Sequence, residues 1–474
     1  MSLEPSPAEV LQRQTAPAPR KRARPLAALR HRNFRIYWLG QAVSLVGTWI
    51  QNVALAWLVL ELTGSPLLLG LVGAAQFTPI LLFSLLGGVI ADRMAKRRLI
   101  IGTQSVLMLV AYTLGFLTVT GLVQYWHVLL LAVVVGLANA MDIPARQSFL
   151  IELAGREDLM NAIALHSSIF NVARFVGPAA GGLLIAGFSL PVCFFVNGLS
   201  FTAVLASLFM IRTAGPPPAD RTFTKVWPEI GEGFNYIRST PTVLYPIILM
   251  AVLSLFTFNF NVLVPVYARE VLHQEAQGFG FLMAAHGLGS LGGAFYLAMI
   301  SHRGPRAEVL LGGALGVCLA HLALAFTGWF WLALPVLALG GLSMMVFAGL
   351  VNTTVQLAAP DRLRGRVMSV YSLVFLGMMP LGNLMAGAVA HHWDAPAAFG
   401  FGAVLGLCGL ALLSKKVPCA TASAEPSGPV APSAFTGSGA SPACTDPTAP
   451  VAPTVSVTAT AAIAPDSQPE EPAK

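Results

Sequence analysis

The 474-residue chain is 55% hydrophobic and 10% charged, with a mean hydropathy of +0.71. Soluble domains carry about 25% charged residues, so the composition excludes an ordinary water-soluble globule and calls for lipid as solvent. The formal charge of +7 would suit a nucleic-acid partner, but its distribution along the chain assigns it elsewhere.

Residues 1–33 form a basic tail with Arg13, Arg20, Lys21, Arg22, Arg24, Arg30 and Arg32. Twelve apolar runs follow, each near or above the ~20 residues that cross the hydrocarbon layer. They cover roughly 34–60, 68–91, 98–121, 125–142, 162–187, 190–211, 242–268, 278–300, 307–327, 330–356, 367–391 and 396–414. Continuous apolar runs predict spanning helices and exclude the alternating pattern of a barrel, giving an all-α membrane protein. With a cytoplasmic N-terminal tail, the even-numbered connections are cytoplasmic too. They hold Arg93, Lys96, Arg97, Arg98, Arg146, Arg156, Arg221, Lys225, Arg238, Arg303, Arg306, Arg362, Arg364 and Arg366, whereas the other side receives only Arg269. This asymmetry predicts both termini in the cytoplasm and explains the net charge without nucleic acid. Trp38 falls at the inner edge of the first span, and Trp57, Trp126, Trp329, Trp331 and Trp393 fall at outer edges, where amphipathic rings prefer to lie. The basic start leads into a span too long for a cleaved signal. The five cysteines are isolated, with no CxxC, so neither a disulfide framework nor a metal site is expected. No cofactor is expected.

The longest inner connection, 212–241, divides the spans into six-helix halves at 34–211 and 242–414. It opens RTAGPPPAD, a linker composition. It then places Phe223, Trp227, Ile230, Phe234 and Ile237 at three- and four-residue steps, predicting an amphipathic helix at the membrane interface or on the bundle surface. The halves repeat each other. GLVGAAQ at 70–76 parallels GFLMAAH at 280–286, Gln51 falls on Asn261, and Asn139 on Asn352. Duplicated halves place a substrate site between them. Residues 415–474 are rich in Pro, Ala, Ser and Thr and read as a disordered cytoplasmic tail.

Between the second and third spans stands Gly88-x-x-x-Asp92-Arg93-x-x-Lys96-Arg97-Arg98. With twelve spans and a two-fold repeat, this resembles the signature loop of the major facilitator superfamily, with Ala95 at a usual glycine. The resemblance implies a conformational latch in which Gly88, Asp92, Arg93 and Arg97 meet the start of the eleventh span, near Arg364 and Arg366. His302 replaces the acid in the second-half copy, which implies an asymmetric latch. Three further segments, 33–66, 144–184 and 360–373, resemble the branch that contains the enterobactin exporter and macrolide and other drug-efflux carriers. Its members export siderophores or amphipathic antibiotics, generally in exchange for protons. Gly177-Pro178-x-x-Gly181-Gly182 in the fifth span resembles part of the antiporter signature of drug exporters. It would serve as a hinge or as close helix packing.

Polar residues within spans are costly and usually face a cavity or a partner. Gln41, Ser44, Thr48 and Gln51 share one face of the first span. The fold implied by the resemblance lines its cavity with spans one, four, seven and ten. That selects Gln51, Asn52, Asn139, Asn259, Asn261, Asn352 and Gln356, with Trp49, Phe256, Phe258, Phe260 and Tyr267 as aromatic candidates. Such a lining suits an amphipathic, weakly charged or catechol-like substrate. Charges deep in the spans are few. Asp142, paired with Arg174 or Arg146, is the leading proton-coupling candidate, and Glu61 the second; for Asp142, a helix-end ion pair is the plain alternative. His166 and His286 read as packed residues. No nucleotide-binding loop, nucleophile–base pair or metal cluster indicates an enzyme. The expected protein is a monomeric efflux carrier of the inner membrane whose partners are its small-molecule substrate, protons and lipids. Uptake by the same fold, or a non-transporting receptor or scaffold, are the alternatives.

Overall fold

The computed structural model describes residues 26–155, 157–211, 226–301, 304–360 and 362–417, except the side chains of residues 85, 89, 92 and 226–230. The apolar runs form helices because only intrasegment hydrogen bonds satisfy a backbone in lipid. In order they are Arg32–Thr63, Pro66–Arg93, Lys96–Val119, Tyr125–Ala154, Leu159–Gly187 and Leu190–Met210. There follow a seventh span in two pieces, Pro241–Phe256 and Phe260–Glu270, and then Ala276–Ile300, Ala307–Phe326, Phe330–Ala358, Arg364–His392 and Ala395–Ser414. These make twelve segments long and apolar enough to cross a membrane. Local chemistry sets several ends. Gly64, at φ +59°, closes the first span in the left-handed region that glycine enters freely. Ser65 caps the second through Leu68 N at 3.4 Å, with Pro66 at the first helical position. Asp394 caps the twelfth through Ala397 N at 2.6 Å.

Three elements differ from the sequence reading. The fourth span does not stop at Asp142 but runs to Ala154, because Arg146, one turn on, pairs with Asp142 and the two charges compensate. The seventh span breaks at 257–259. There Leu253 O accepts the backbone N–H groups of Thr257 and Phe258 together with Thr257 Oγ1 at 2.8 Å, and Asn259 Nδ2 donates to Leu255 O at 2.9 Å, so a side chain takes the place of the next helical bond. Trp57 is not an interface anchor: it is buried and stacks on Phe279 of the eighth span, ring centroids 6.1 Å apart. Trp126, Trp329, Trp331 and Trp393 are exposed, as edge residues should be.

The pairings repeat between halves. Spans two and four pack together, as do eight and ten; three packs on four and six, and nine on ten and twelve. The halves meet along two seams, two against eleven and five against eight. Small residues permit the approach. A Cβ on Gly387 would lie 3.1 Å from Gly70 Cα, and one on Gly182 would lie 3.0 Å from Gly280 Cα.

The apolar interior is divided in three. One core draws on both halves, with Ile50, Trp57, Leu69, Phe260, Phe279 and Phe399. A second belongs to the first half, around Phe34, Tyr37, Ala91 and Phe149. A third belongs to the second half and the linker helix, around Ile237, Phe258, Phe347 and Tyr371. The two separate cores lie toward the face marked by Arg93, Lys96 and Arg364, here termed the basic face. Arg269 donates to Leu60 O between the halves at the opposite face. The halves are thus joined at the opposite face.

The linker helix Val226–Ser239 packs on the eleventh span. Its bundle-facing side is Gly233 and Ile237, with half-buried Tyr236 donating to Ala358 O at 2.8 Å; Phe234 faces outward. The expected single face is thus split between bundle and surroundings. Phe223 and the side chains of Trp227 and Ile230 lie outside the described residues, as do residues 418–474 of the predicted tail and residues 1–25 of the basic tail.

Candidate functional site

A cavity of about 100 Å³ lies between the halves, beside the shared core. Spans one, two and five contribute Trp49, Asn52, Gln76, Phe77 and Pro178; spans seven, eight and eleven contribute Asn261, Phe279, Met283 and Asn383. Trp57 on Phe279 closes it toward the opposite face. The first half supplies the amides of Asn52 and Gln76, and the second those of Asn261 and Asn383. None of these four makes a side-chain hydrogen bond to another described residue. An apolar, aromatic pocket with a few convergent polar groups is the usual form of a small-molecule site.

Arg174 stands beside this cavity. It leaves the midpoint of the fifth span and places its guanidinium 5.8 Å from the centroid of the Trp49 ring, and Nη2 lies 3.8 Å from Met344 Sδ on the tenth span. Trp49 also meets Phe170 edge-on at 5.9 Å.

A second polar cluster is buried within the first half. Asp142 accepts from Thr103 Oγ1 at 2.6 Å, from Gln104 Nε2 at 3.2 Å and from Arg146 Nε. Arg146 also donates to Gln41 Oε1. Gln41 Nε2 and Gln104 Oε1 remain buried without a partner, an under-satisfied network of the kind that carries a functional constraint. Asp142 thus pairs with Arg146, and Arg174 is held elsewhere.

The family comparison covers residues 23–435, which match the family MFS_3, described as transmembrane secretion effector. The chain belongs to that family. It is a transporter of the major facilitator superfamily. Similar proteins include the multidrug efflux pump Tap of Mycolicibacterium fortuitum, 29% identical over 74% of this chain and 88% of that protein. The staphyloferrin A transporter of Staphylococcus aureus is 25% identical over 79% and 94%. The macrolide efflux protein A of Streptococcus pyogenes is 23% identical over 76% and 91%. Among solved structures, the D-xylose-proton symporter superposes with a TM-score of 0.65 at 12% identity, covering 81% of this chain and 98% of that one. A bacterial homologue of the human lysosomal transporter Spinster gives 0.64 at 15%, covering 81% and 97%. These likenesses support the fold.

Of the amides expected in the transporter's cavity, Asn52 and Asn261 line it. Gln51 is on a different face of the first span and accepts from Asn197 Nδ2 of the sixth at 2.7 Å. Gln41 and Ser44, on that same face, are also buried. Asn259 is bound to the break in span seven. Asn139 is half-buried in span four and does not line the cavity. Gln356 donates to Asn352 at 2.6 Å near the basic end of span ten. The cavity excludes spans four and ten because it lies where the seam helices two, five, eight and eleven converge. Gln76 and Asn383 belong to those helices and were not among the expected lining. Gln76 was within reach of the repeat itself, as the last residue of GLVGAAQ. Phe256, Phe258, Phe260 and Tyr267 pack on other rings.

The described contacts of Arg97, Arg364 and Arg366 include bonds within their own halves or to the linker helix. Arg97 donates to Leu208 O at 2.7 Å and caps the end of span six. Arg364 donates to Gln356 O at 3.0 Å, and Arg366 pairs with Glu232 of the linker helix. Gly88 meets no atom within 4 Å of its missing Cβ, whereas neighbouring Gly87 packs on Ala140 and Met141. Arg93 is exposed, and the side chain of Asp92 lies outside the described residues, as do His302 and Arg303. Gly177 and Gly181 pack on Trp49 and Ile50 of span one, and Gly182 on span eight. The helix is continuous through Pro178. Glu61 is exposed at the opposite end of span one.

Proposed function

We propose that this transporter exports an amphipathic compound, of drug-like or siderophore type, by alternating access in exchange for protons. The observation that carries the reading is the cavity between the halves, ringed by two amides from each half that no protein group occupies. An apolar wall with free amides suits an amphipathic ligand. The export direction is supported by the similarity to a multidrug efflux pump and a macrolide efflux protein, and the siderophore class by the similarity to the staphyloferrin A transporter. The basic face would lie in the cytoplasm of an inner membrane, with both termini. A state open toward that face would then be the loading state. Asp142 is the coupling candidate: a proton taken up by its carboxylate would release Arg146, which joins spans one and four through Gln41. Asp92 and Arg93 would latch the basic face against span eleven in the opposite state.

Inside-out vesicles loaded with an imposed proton gradient test the reading, using a panel of amphipathic dyes, macrolides and catechol siderophores. Accumulation should vanish when the gradient is collapsed, fall in Asn52→Ala and Asn261→Ala, and fail in Asp142→Asn while binding persists. Accumulation indifferent to the gradient would refute proton exchange. Uptake confined to right-side-out vesicles would refute export.

A further inference from the structure

Among the described residues, the spans hold a charge that no carboxylate offsets. Among the described residues, three charged side chains lie away from the span ends: Asp142, Arg146 and Arg174. The first two pair with each other. No carboxylate of the described residues comes within ion-pair distance of Arg174. Its neighbours are the face of Trp49 and the thioether of Met344, contributed by opposite halves. Both are soft and polarisable, and neither cancels a full charge. An intramembrane arginine is retained where it meets a counter-charge or lines an aqueous path. The cavity that shares Trp49 with Arg174 contains no acidic residue, and its polar lining consists of amides able to donate N–H groups. A cationic ligand would find no anion there, whereas an oxyanion would find a guanidinium fork and amide donors.

We propose that Arg174 receives an anionic group of the substrate, a carboxylate or chemically equivalent oxyanion, while Trp49 and Phe279 hold its apolar body. This assignment rests on the reading of the cavity as the substrate site. It narrows the substrate class to amphipathic anions and gives Arg174 a role separate from Asp142. Guanidinium meets carboxylate through two parallel charge-assisted hydrogen bonds, a geometry that a neutral amide at this position cannot supply.

The test uses two dye pairs that differ by one carboxylate: rhodamine 110 against its methyl ester rhodamine 123, and fluorescein against its methyl ester. Binding to the full chain in lipid nanodiscs is read by fluorescence anisotropy. The native protein should hold the free acid of at least one pair about 10-fold to 100-fold more tightly than the ester, the range of a charged hydrogen bond. Arg174→Gln should erase that preference while leaving ester binding within about twofold, which also reports that the variant is folded. Arg174→Lys should restore part of it. Equal or weaker binding of both acids, or a preference that survives in Arg174→Gln, overturns the assignment. Vesicle transport of the same dyes separates the two layers. Transport without any carboxylate preference leaves the carrier reading in place and removes Arg174. Arg174-dependent binding with no transport in either direction does the reverse.

Discussion

Gly280→Ala is the smallest perturbation that probes how the halves close. The new Cβ would lie 2.7 Å from Gly182 Cα and 2.8 Å from Pro178 O. Carbon atoms pack best at about 3.5–4.0 Å, so the fifth and eighth spans must part by ~0.8 Å. Both nearest neighbours are backbone, and no side chain can swing away to absorb the clash. Overpacking of this kind costs about 1–3 kcal/mol. Because the seam is tight where the opposite face is shut, the penalty falls on the arrangement seen here. The balance should move away from it by about 5-fold to 150-fold. Spin labels at Leu122 and Gly328, in exposed loops of the two halves at the opposite face, report the change as a longer distance component. The native cysteines are first replaced. Gly312→Ala, where no atom lies within 4 Å, is the control and should leave the distances unaltered. An unchanged distance distribution in folded Gly280→Ala would refute the argument that this glycine contact holds the opposite face closed.

Asp142→Asn leaves the half-buried Arg146 without its counter-ion and should lower stability by about 1.5–3 kcal/mol, seen as a drop in thermal unfolding temperature in detergent. Adding Arg146→Gln should recover part of the loss, and strict additivity would contradict the pairing. Gly87→Ala drives a Cβ into the backbone at Ala140, 2.9 Å from its carbonyl carbon, whereas Gly88→Ala meets open space. The first should reduce folded yield; the second should not, and a transport defect confined to Gly88→Ala would support the proposed latch. Tyr236→Phe removes the 2.8 Å bond to Ala358 O. It should weaken docking of the linker helix by about 1 kcal/mol and speed protease cleavage within Val226–Ser239; an unchanged cleavage rate would contradict the packing described.

The spans and the duplicated halves were legible in the sequence because lipid leaves the backbone few choices and long apolar runs are unambiguous. What the runs could not show is which face of each helix turns inward. Gln51 and Asn52 are adjacent in sequence, yet one bonds to Asn197 and the other lines the cavity. A helix advances by about 100° per residue, so one position separates an interhelical partner from a ligand contact. Asn383 escaped notice because span eleven was read as a latch surface, and its place at the cavity depends on the seam with Gly73, which is tertiary. The end of span four was misplaced because Asp142 reads as a terminus until Arg146, a turn later, is seen to compensate it. The charges near residue 92 were conspicuous, but the side chain of Asp92 lies outside the described residues.

The three-part interior also governs how the molecule responds to cooling. If the halves rock as rigid bodies, as the proposed alternating access requires, their two separate cores stay dry throughout. Only the shared core, where Trp57 stacks on Phe279, meets water when the opposite face opens. Hydrating apolar surface raises heat capacity by about 0.45 cal/K/mol for each Å², so that opening carries a heat-capacity change the basic-face cores do not share. Apolar association weakens as temperature falls. Cold therefore favours the state in which this core is hydrated, and the ratio of the two openings follows a curved rather than linear dependence on temperature.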